Sequence, residues 1–179
     1  MQLKNIYLVG PMGAGKTTVG RVLGSELNMP FLDSDQEVEM RSGADITWIF
    51  DVEGEEGFRQ REEQVIADFC SMRGVVVATG GGTIKRSDNR RHLSSNGFVV
   101  YLYASVSVQL ERTLKDKKRP LLQRPDREQV LETLLAERDG LYREIADLIL
   151  DTGMFSSRVV ATKIIEVITS SGGSVKCLS

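Results

Sequence analysis

Residues 10–17 read Gly-Pro-Met-Gly-Ala-Gly-Lys-Thr and fit the pattern G-x-x-x-x-G-K-[ST] of a phosphate-binding P-loop. The glycines let the backbone turn where a Cβ atom would clash, so that successive N–H groups can face one anion. Lys16 adds a positive charge for the β- and γ-phosphates, and Thr17 offers a hydroxyl to Mg²⁺. The stretch therefore predicts an ATP site with contacts from Gly13, Ala14, Gly15, Lys16, Thr17 and Thr18.

The segments on either side of this loop have the patterns that a P-loop requires. Residues 5–9 form an apolar run typical of a buried strand. Residues 18–27 form a helical pattern whose apolar face is made by Val19, Leu23 and Leu27. The N-terminus of such a helix directs its partial positive charge at the phosphates. We therefore expect a strand, the loop and a helix in that order.

Strand patterns and helical patterns alternate along the whole chain. The predicted strands are residues 6–9, 31–32, 75–78, 99–102 and 148–150. The predicted helices are residues 16–27, 35–40, 45–51, 55–70, 87–93, 107–114, 126–145 and 156–168. Because the strands are continuously apolar, this alternation indicates an α/β three-layer sandwich with a five-stranded parallel sheet. We expect a single domain over residues 1–170 and a flexible tail over 171–179.

Length and composition restrict the classes of protein to which the chain can belong. Its 179 residues are 41% hydrophobic and 27% charged, which is typical of a globular domain. With 23 basic and 25 acidic residues, bulk charge favours neither nucleic acid nor a membrane surface as a partner. The sequence has no signal-peptide pattern and no apolar run of about 18 residues. We therefore expect a cytoplasmic monomer whose partners are small molecules.

The cysteines and the histidine carry no recognisable chemistry. Cys70 and Cys177 are too far apart in the sequence for a metal or redox motif. We expect Cys70 to lie in the core, Cys177 to lie in the tail, and the single histidine, His92, to lie on the surface of a polar helix.

One segment breaks the strand and helix alternation. Residues 115–126 carry five basic residues and two prolines, with little periodicity. They form either a solvated loop or a mobile lid that closes an arginine over ATP, and the P-loop favours the lid. Beyond this segment, Asp126 and Gln129 have the spacing of a capping box at the start of a helix.

Two carboxylates directly follow the second predicted strand, in the sequence Asp33-Ser-Asp35. The carboxyl ends of parallel strands are where open α/β sheets bind ligands. One carboxylate could support Mg²⁺, and the other could orient an acceptor hydroxyl or take its proton. Alternatively, Asp35 could cap the helix that follows.

Glycines and arginines elsewhere indicate a second, polar site. Three glycines, Gly80, Gly81 and Gly82, follow the third predicted strand, which suggests a close approach of backbone to a ligand. Arg59 and Arg138 lie in separate predicted helices, and two guanidinium groups together would suit a planar carboxylate. Whether the two arginines converge cannot be derived from the sequence.

Taken together, these motifs resemble the shikimate kinase family. Six motifs agree in order and separation from about residue 4 to 168: the P-loop with Thr18, Asp33-Ser-Asp35, Glu55-Glu-Gly-Phe-Arg59, Thr79-Gly-Gly-Gly82, Arg119-Pro-Leu-Leu122, and Glu137-Arg138 with Leu141-Tyr142. The resemblance implies a fold like that of nucleoside-monophosphate kinases. It also implies transfer of the ATP γ-phosphate to the 3-hydroxyl of shikimate, with Mg²⁺, in aromatic amino-acid biosynthesis.

The resemblance also implies roles for individual residues. Within a substrate-binding subregion over residues 33–61, Asp35 would hold the acceptor hydroxyl and Arg59 would bind the shikimate carboxylate. Arg138 would bind the same carboxylate, and the backbone of residues 80–82 would add contacts.

On the nucleotide side, the resemblance makes Arg119 the lid arginine and places Arg112 beside the adenine. Thr17 would ligate Mg²⁺, and Asp33 would support it. The implied catalytic residues are Lys16, Asp35 and Arg119.

The chain departs from the family pattern at Gly140, where the family often has proline. We expect this glycine to loosen a turn after Arg138. The residues alone leave open another small-molecule kinase, acting on gluconate or a nucleoside monophosphate, or a regulatory P-loop protein. The paired aspartates and three glycines fit a hydroxylated carboxylic acid better, and the chain lacks the Asn-Lys-x-Asp guanine signature.

Overall fold

The computed structural model describes residues 4–114 and 126–170. The strands in these ranges are β1 (Asn5–Val9), β2 (Phe31–Asp33), β3 (Val76–Ala78), β4 (Gly97–Tyr103) and β5 (Leu148–Asp151). The helices are α1 (Lys16–Leu27), α2 (Ser34–Ser42), α3 (Ile46–Ser71), α4 (Ser87–Asn96), α5 (Val106–Thr113), α6 (Arg127–Ile145) and α7 (Ser157–Ser170), with a 3-10 turn at Thr83–Lys85.

The five strands form one parallel sheet in the order β2-β3-β1-β4-β5. Strand β1 lies at the centre, where Tyr7 pairs with Val77 of β3 on one side and with Val99 of β4 on the other. After β3 the chain crosses from one side of β1 to the other. In such sheets, ligands bind beyond the carboxyl ends of the strands, at the point where the strand order reverses. The loop after β1 begins at that point.

Alternate residues of the strands face two separate hydrophobic cores. Ile6 and Leu8 of β1 pack in the core that α1 and α7 cover. Tyr7 and Val9 pack in the opposite core, which α2, α3, α4 and α6 cover. Because helices bury both faces of the sheet, the predicted α/β three-layer sandwich is confirmed.

The predicted elements agree with the structure to within a few residues at their ends. Helix α1 begins and ends where the sequence predicts, while β4 begins at Gly97, two residues early. The two helices predicted over 45–51 and 55–70 correspond to the two helical segments of α3, which meet at Gly54. The backbone leaves helical geometry at Gly54, with φ 73° and ψ 179°, so α3 is kinked there. Only glycine adopts such a conformation without strain.

Two predictions about α6 are wrong. Asp126 precedes the helix, but its side chain makes no capping hydrogen bond. Its backbone, at φ −90° and ψ 30°, lies outside the extended region that a capping residue normally adopts. Gly140 lies inside α6 and not in a turn, so the direction of Arg138 is set by a continuous helix.

We expect Gly140→Ala to stabilise the protein by about 0.5–1 kcal/mol, because glycine inside a helix costs conformational entropy relative to alanine. A Cβ atom at this exposed position would meet no atom within 4 Å. Denaturant unfolding of the wild type and the variant measures the difference. A lower free energy of unfolding in the variant would contradict this expectation. It would mean that residue 140 needs a backbone conformation other than the helical one it has in α6.

Other positions follow the sequence predictions where the structure describes them. Cys70 is buried and His92 is exposed, as expected. Cys177 and the predicted tail lie outside the described residues. In the two described ranges, every helix is too short or too polar to cross a bilayer.

Candidate active site

The loop between β1 and α1 has the backbone geometry of an anion cradle. Gly10, Gly13 and Gly15 all have positive φ angles, of 145°, 76° and 87°. A Cβ atom at residue 10 would overlap the carbonyl oxygen of Leu102 on β4, so glycine is required there for space as well as conformation. Gly15 is the N-cap of α1, so the positive end of the helix faces the loop.

Lys16 is the first residue of α1, and its side chain turns back over the loop. Its Nζ donates to the carbonyl oxygen of Gly10 at 2.7 Å and to that of Pro11 at 2.8 Å. The ammonium group is therefore held at the mouth of the cradle, beside the N–H groups that would face a phosphate.

Thr17 and Asp33 meet across the gap between α1 and the end of β2. Thr17 Oγ1 donates to Asp33 Oδ2 at 2.8 Å. The other carboxylate oxygen, Asp33 Oδ1, accepts from the backbone N–H groups of Asp35 at 3.1 Å and Gln36 at 3.4 Å. Asp33, and not Asp35, is therefore the N-cap of α2.

These two residues offer hard oxygen ligands beside the cradle. In the part of the chain that the structure describes, no group of three or more His, Cys, Asp or Glu side chains could hold a metal ion. Mg²⁺ at phosphate sites takes one or two protein oxygens and completes its shell with water and phosphate. A hydroxyl and a carboxylate that share one hydrogen bond fit Mg²⁺ bound in this way.

The three glycines after β3 each face a different predicted site residue. A Cβ atom at Gly80 would lie 2.6 Å from Asp35 Oδ1. At Gly81 it would lie 3.8 Å from Arg138 Nη1 and 3.6 Å from the carbonyl oxygen of Gly10 in the P-loop. At Gly82 it would overlap the guanidinium of Arg59.

The glycine turn thus brings one carboxylate and two guanidinium groups together next to the phosphate cradle. Their chain positions span more than a hundred residues, and they come from α2, α3 and α6. Gly80 N donates to Ser34 Oγ at 2.9 Å, which ties the turn to the start of α2. The arrangement can bind a small anion with hydroxyl groups against bare backbone, close to the nucleotide site.

Glu62 belongs to this group, and sequence reasoning missed it. Its carboxylate is completely buried, and its oxygens contact Arg59 Nη1 at 2.6 Å and Thr83 Oγ1 at 2.5 Å. Because Arg59 is an ion-pair partner three residues away on α3, Glu62 fixes the direction of that guanidinium. The surrounding run of charged residues looks like a solvated helix face, so the sequence offers no signal that distinguishes this glutamate.

A cavity of about 550 Å³ lies on the other side of the P-loop. Its lining includes Gly13, Ala14, Gly15, Thr18, Arg112, Phe155 and Ser156. Arg112 crosses it, donating to the carbonyl oxygens of Gly13 at 3.1 Å and Thr152 at 2.6 Å. An aromatic ring and a guanidinium group beside the phosphate cradle suit the base of a nucleotide.

Most of the predicted site residues thus lie either at the P-loop and its cavity or around the adjoining glycine turn. Arg119 and all of the predicted lid except Asp126 lie outside the described residues.

Comparison with known proteins agrees with this geometry. The family model described as shikimate kinase matches residues 12–169. A shikimate kinase from Shewanella sp. (strain ANA-3) is 58% identical over 163 residues, covering 91% of this chain and 95% of the relative.

Solved structures of shikimate kinases are also similar to this chain. A shikimate kinase from Acinetobacter baumannii in complex with shikimate is 54% identical, with a TM-score of 0.91 over 94% of each chain. Another from Bacteroides thetaiotaomicron is 29% identical, with a TM-score of 0.83, covering 94% of this chain and 99% of that one. The family model and the 58% identical relative each span most of the chain, and on that basis the chain belongs to the shikimate kinase family.

Proposed function

We propose that the chain transfers the γ-phosphoryl group of ATP to the 3-hydroxyl of shikimate, giving 3-phosphoshikimate and ADP for aromatic amino-acid biosynthesis. The observation that carries this assignment is the meeting of Asp35, Arg59 and Arg138 on three consecutive glycines beside the P-loop. Phosphoryl transfer needs positioning and charge neutralisation more than strong bases, and this arrangement supplies both.

On the nucleotide side, residues 13–18 cradle the phosphates with their backbone N–H groups. The Lys16 ammonium, held at the loop by two carbonyl oxygens, neutralises charge on the β- and γ-phosphates. Arg112 and Phe155 line the cavity that receives the adenine.

Thr17 and Asp33 are the residues that would hold Mg²⁺. The Thr17 hydroxyl would be a direct ligand, and Asp33, which accepts its hydrogen bond at 2.8 Å, would orient it. Bound Mg²⁺ supplies further neutralisation of phosphate charge.

On the acceptor side, Arg59 and Arg138 bind the carboxylate of shikimate with bidentate hydrogen bonds. The buried Glu62 holds Arg59 in position from behind. Asp35, at the first turn of α2, orients the acceptor hydroxyl toward the γ-phosphate and takes its proton as the bond forms.

Several predictions from the sequence stay predictions. They are the lid over residues 115–126, the contact of Arg119 with the phosphates, the roles of the other site residues, Mg²⁺ binding, the bounds of the domain and tail, a monomeric state, and a cytoplasmic location.

Identification of the product tests the proposed reaction. After incubation with ATP, Mg²⁺ and shikimate, phosphorus-coupled proton NMR should place the new phosphate on the 3-hydroxyl. A phosphate on another hydroxyl would contradict the placement of Asp35 against the acceptor.

Arg59→Lys and Arg138→Lys should each raise the KM for shikimate about tenfold, because an ammonium group cannot form the bidentate pair. The KM for ATP should change little, since neither residue lines the nucleotide cavity. Steady-state kinetics with each substrate varied in turn gives both constants. Arg61→Lys is a matched control, because Arg61 lies on the same helix but pairs with Glu53 at the surface. Equal increases in the KM for shikimate and the KM for ATP would indicate a structural role for the arginines.

A further inference from the structure

Tyr142 lies one helical turn after Arg138 on α6, and its hydroxyl reaches the glycine turn. The side chain is completely buried, and the hydroxyl donates to the carbonyl oxygen of Gly81 at 2.5 Å. Its ring stacks on that of Tyr101, with centroids 4.8 Å apart and an angle of 27° between the planes. The ring is therefore fixed by packing, and the hydroxyl is fixed by the backbone of the turn.

The direction of the hydroxyl hydrogen follows from its partners. A carbonyl oxygen can only accept, so the Tyr142 proton points at Gly81. Burial raises the pKa of Tyr142 to about 12, although a hydrogen bond from Arg138 and the charge of its guanidinium oppose the shift. The hydroxyl therefore stays protonated at neutral pH. Its lone pairs remain available to the Arg138 guanidinium, whose Nη1 lies beside the same glycine, Gly81.

Arg138 needs such a partner because it is almost completely buried. Only 8% of the residue is exposed, and its Nε has no hydrogen-bond partner within the described ranges. Its Nη1 faces Gly81, where a Cβ atom would lie 3.8 Å away. A guanidinium with few hydrogen bonds keeps a fixed orientation only if a neighbouring group restrains it.

We infer that Tyr142 is a positioning residue for the acceptor site: its hydroxyl holds the Gly81 backbone in place, and with it the Arg138 guanidinium that faces the substrate carboxylate. This inference rests on the proposed role of Arg138 in binding that carboxylate. Tyr142 does not contact the reacting atoms and acts through its two neighbours. Its loss should therefore weaken shikimate binding and leave ATP binding unchanged.

Tyr101 provides a matched control for the loss of a buried hydroxyl. It is also completely buried, stacks on the same ring, and donates its hydroxyl to Asp139 Oδ1 at 2.8 Å instead of to the glycine turn. Tyr101→Phe and Tyr142→Phe each remove one oxygen and keep the aromatic ring. Only the second removes a hydrogen bond to the acceptor site.

The test measures shikimate binding by calorimetry, and both KM values by steady-state kinetics, for the two variants. Tyr142→Phe should raise the Kd and the KM for shikimate about tenfold, equivalent to about 1.4 kcal/mol. Tyr101→Phe should leave the Kd and the KM for shikimate within twofold of the wild-type values. The KM for ATP should be unchanged in both variants. Equal effects of the two variants would overturn the inference, as would a Tyr142→Phe protein that fails to fold where Tyr101→Phe folds.

A double-mutant cycle with Arg138→Lys shows whether Tyr142 acts through the arginine. The double variant should bind shikimate no more weakly than Arg138→Lys alone, because the guanidinium that Tyr142 and the Gly81 backbone position is then absent. Additive losses would overturn the inference and leave the proposed function intact. An Arg138→Lys variant that binds shikimate normally would instead contradict the proposed role of Arg138, and with it the premise of this inference.

Discussion

Replacing Lys16 by methionine should lower kcat by roughly 10²–10³-fold or more, the loss typical of removing one donor that stabilises transition-state charge. The ammonium group lies at the mouth of the P-loop, tethered to the carbonyl oxygens of Gly10 and Pro11. From there it follows the negative charge that moves toward the oxygen between the β- and γ-phosphates as the bond breaks. Methionine keeps the length of the side chain and removes the charge.

Steady-state kinetics at saturating ATP and shikimate gives the change in kcat, and circular dichroism shows that the variant is folded. Lys4→Met is the control, because exposed Lys4 lies just before β1, at the opposite end of that strand from the P-loop. A folded Lys16→Met protein with nearly normal kcat would contradict the catalytic role of Lys16.

Replacing Asp35 by asparagine should lower kcat by about 10²–10⁴-fold, the usual contribution of a positioned proton acceptor. Asparagine has almost the same shape but carries no negative charge and cannot take a proton. The helix should be unaffected, because Asp33 and not Asp35 caps α2. The affinity for ATP should also persist, since Asp35 is not part of the lining of the nucleotide cavity.

Glu37→Gln is the matched control for Asp35→Asn. It makes the same chemical change on the same helix, at a carboxylate that pairs with Arg41 at 2.7 Å. Single-turnover measurements would separate phosphoryl transfer from product release. If Asp35→Asn transfers phosphate at the rate of the wild type, then Asp35 only shapes the acceptor site.

The sequence predicts the fold well because its signals are local. Strand β1 and helix α1 can be predicted from hydrophobic periodicity, and the glycines at 10, 13 and 15 do adopt positive φ. The order of the strands in the sheet depends on contacts between distant segments, which periodicity does not contain. The predicted capping box at Asp126 fails because residue type alone does not determine backbone dihedrals.

The site can be predicted only in part. The motifs identify Asp35, Arg59 and Arg138 by resemblance, but their meeting on the glycine turn becomes visible only when α2, α3 and α6 pack together. Glu62 carries no signal of its own, because a glutamate in a charged helix is common. Tyr142 belongs to the Leu141-Tyr142 motif of the resemblance, but the motif gives it no role. Their importance comes from complete burial beside the arginines, which is a property of tertiary structure.

Release of ADP by the wild-type protein, measured with ATP and Mg²⁺ in the presence of different acceptors, tests the assignment most directly. Shikimate, gluconate and a nucleoside monophosphate should be compared with a reaction that contains no acceptor. The site geometry and the family predict rapid ADP formation that depends on shikimate and remains at background with the other two. ADP formation with gluconate or the nucleotide, and none with shikimate, would contradict the account.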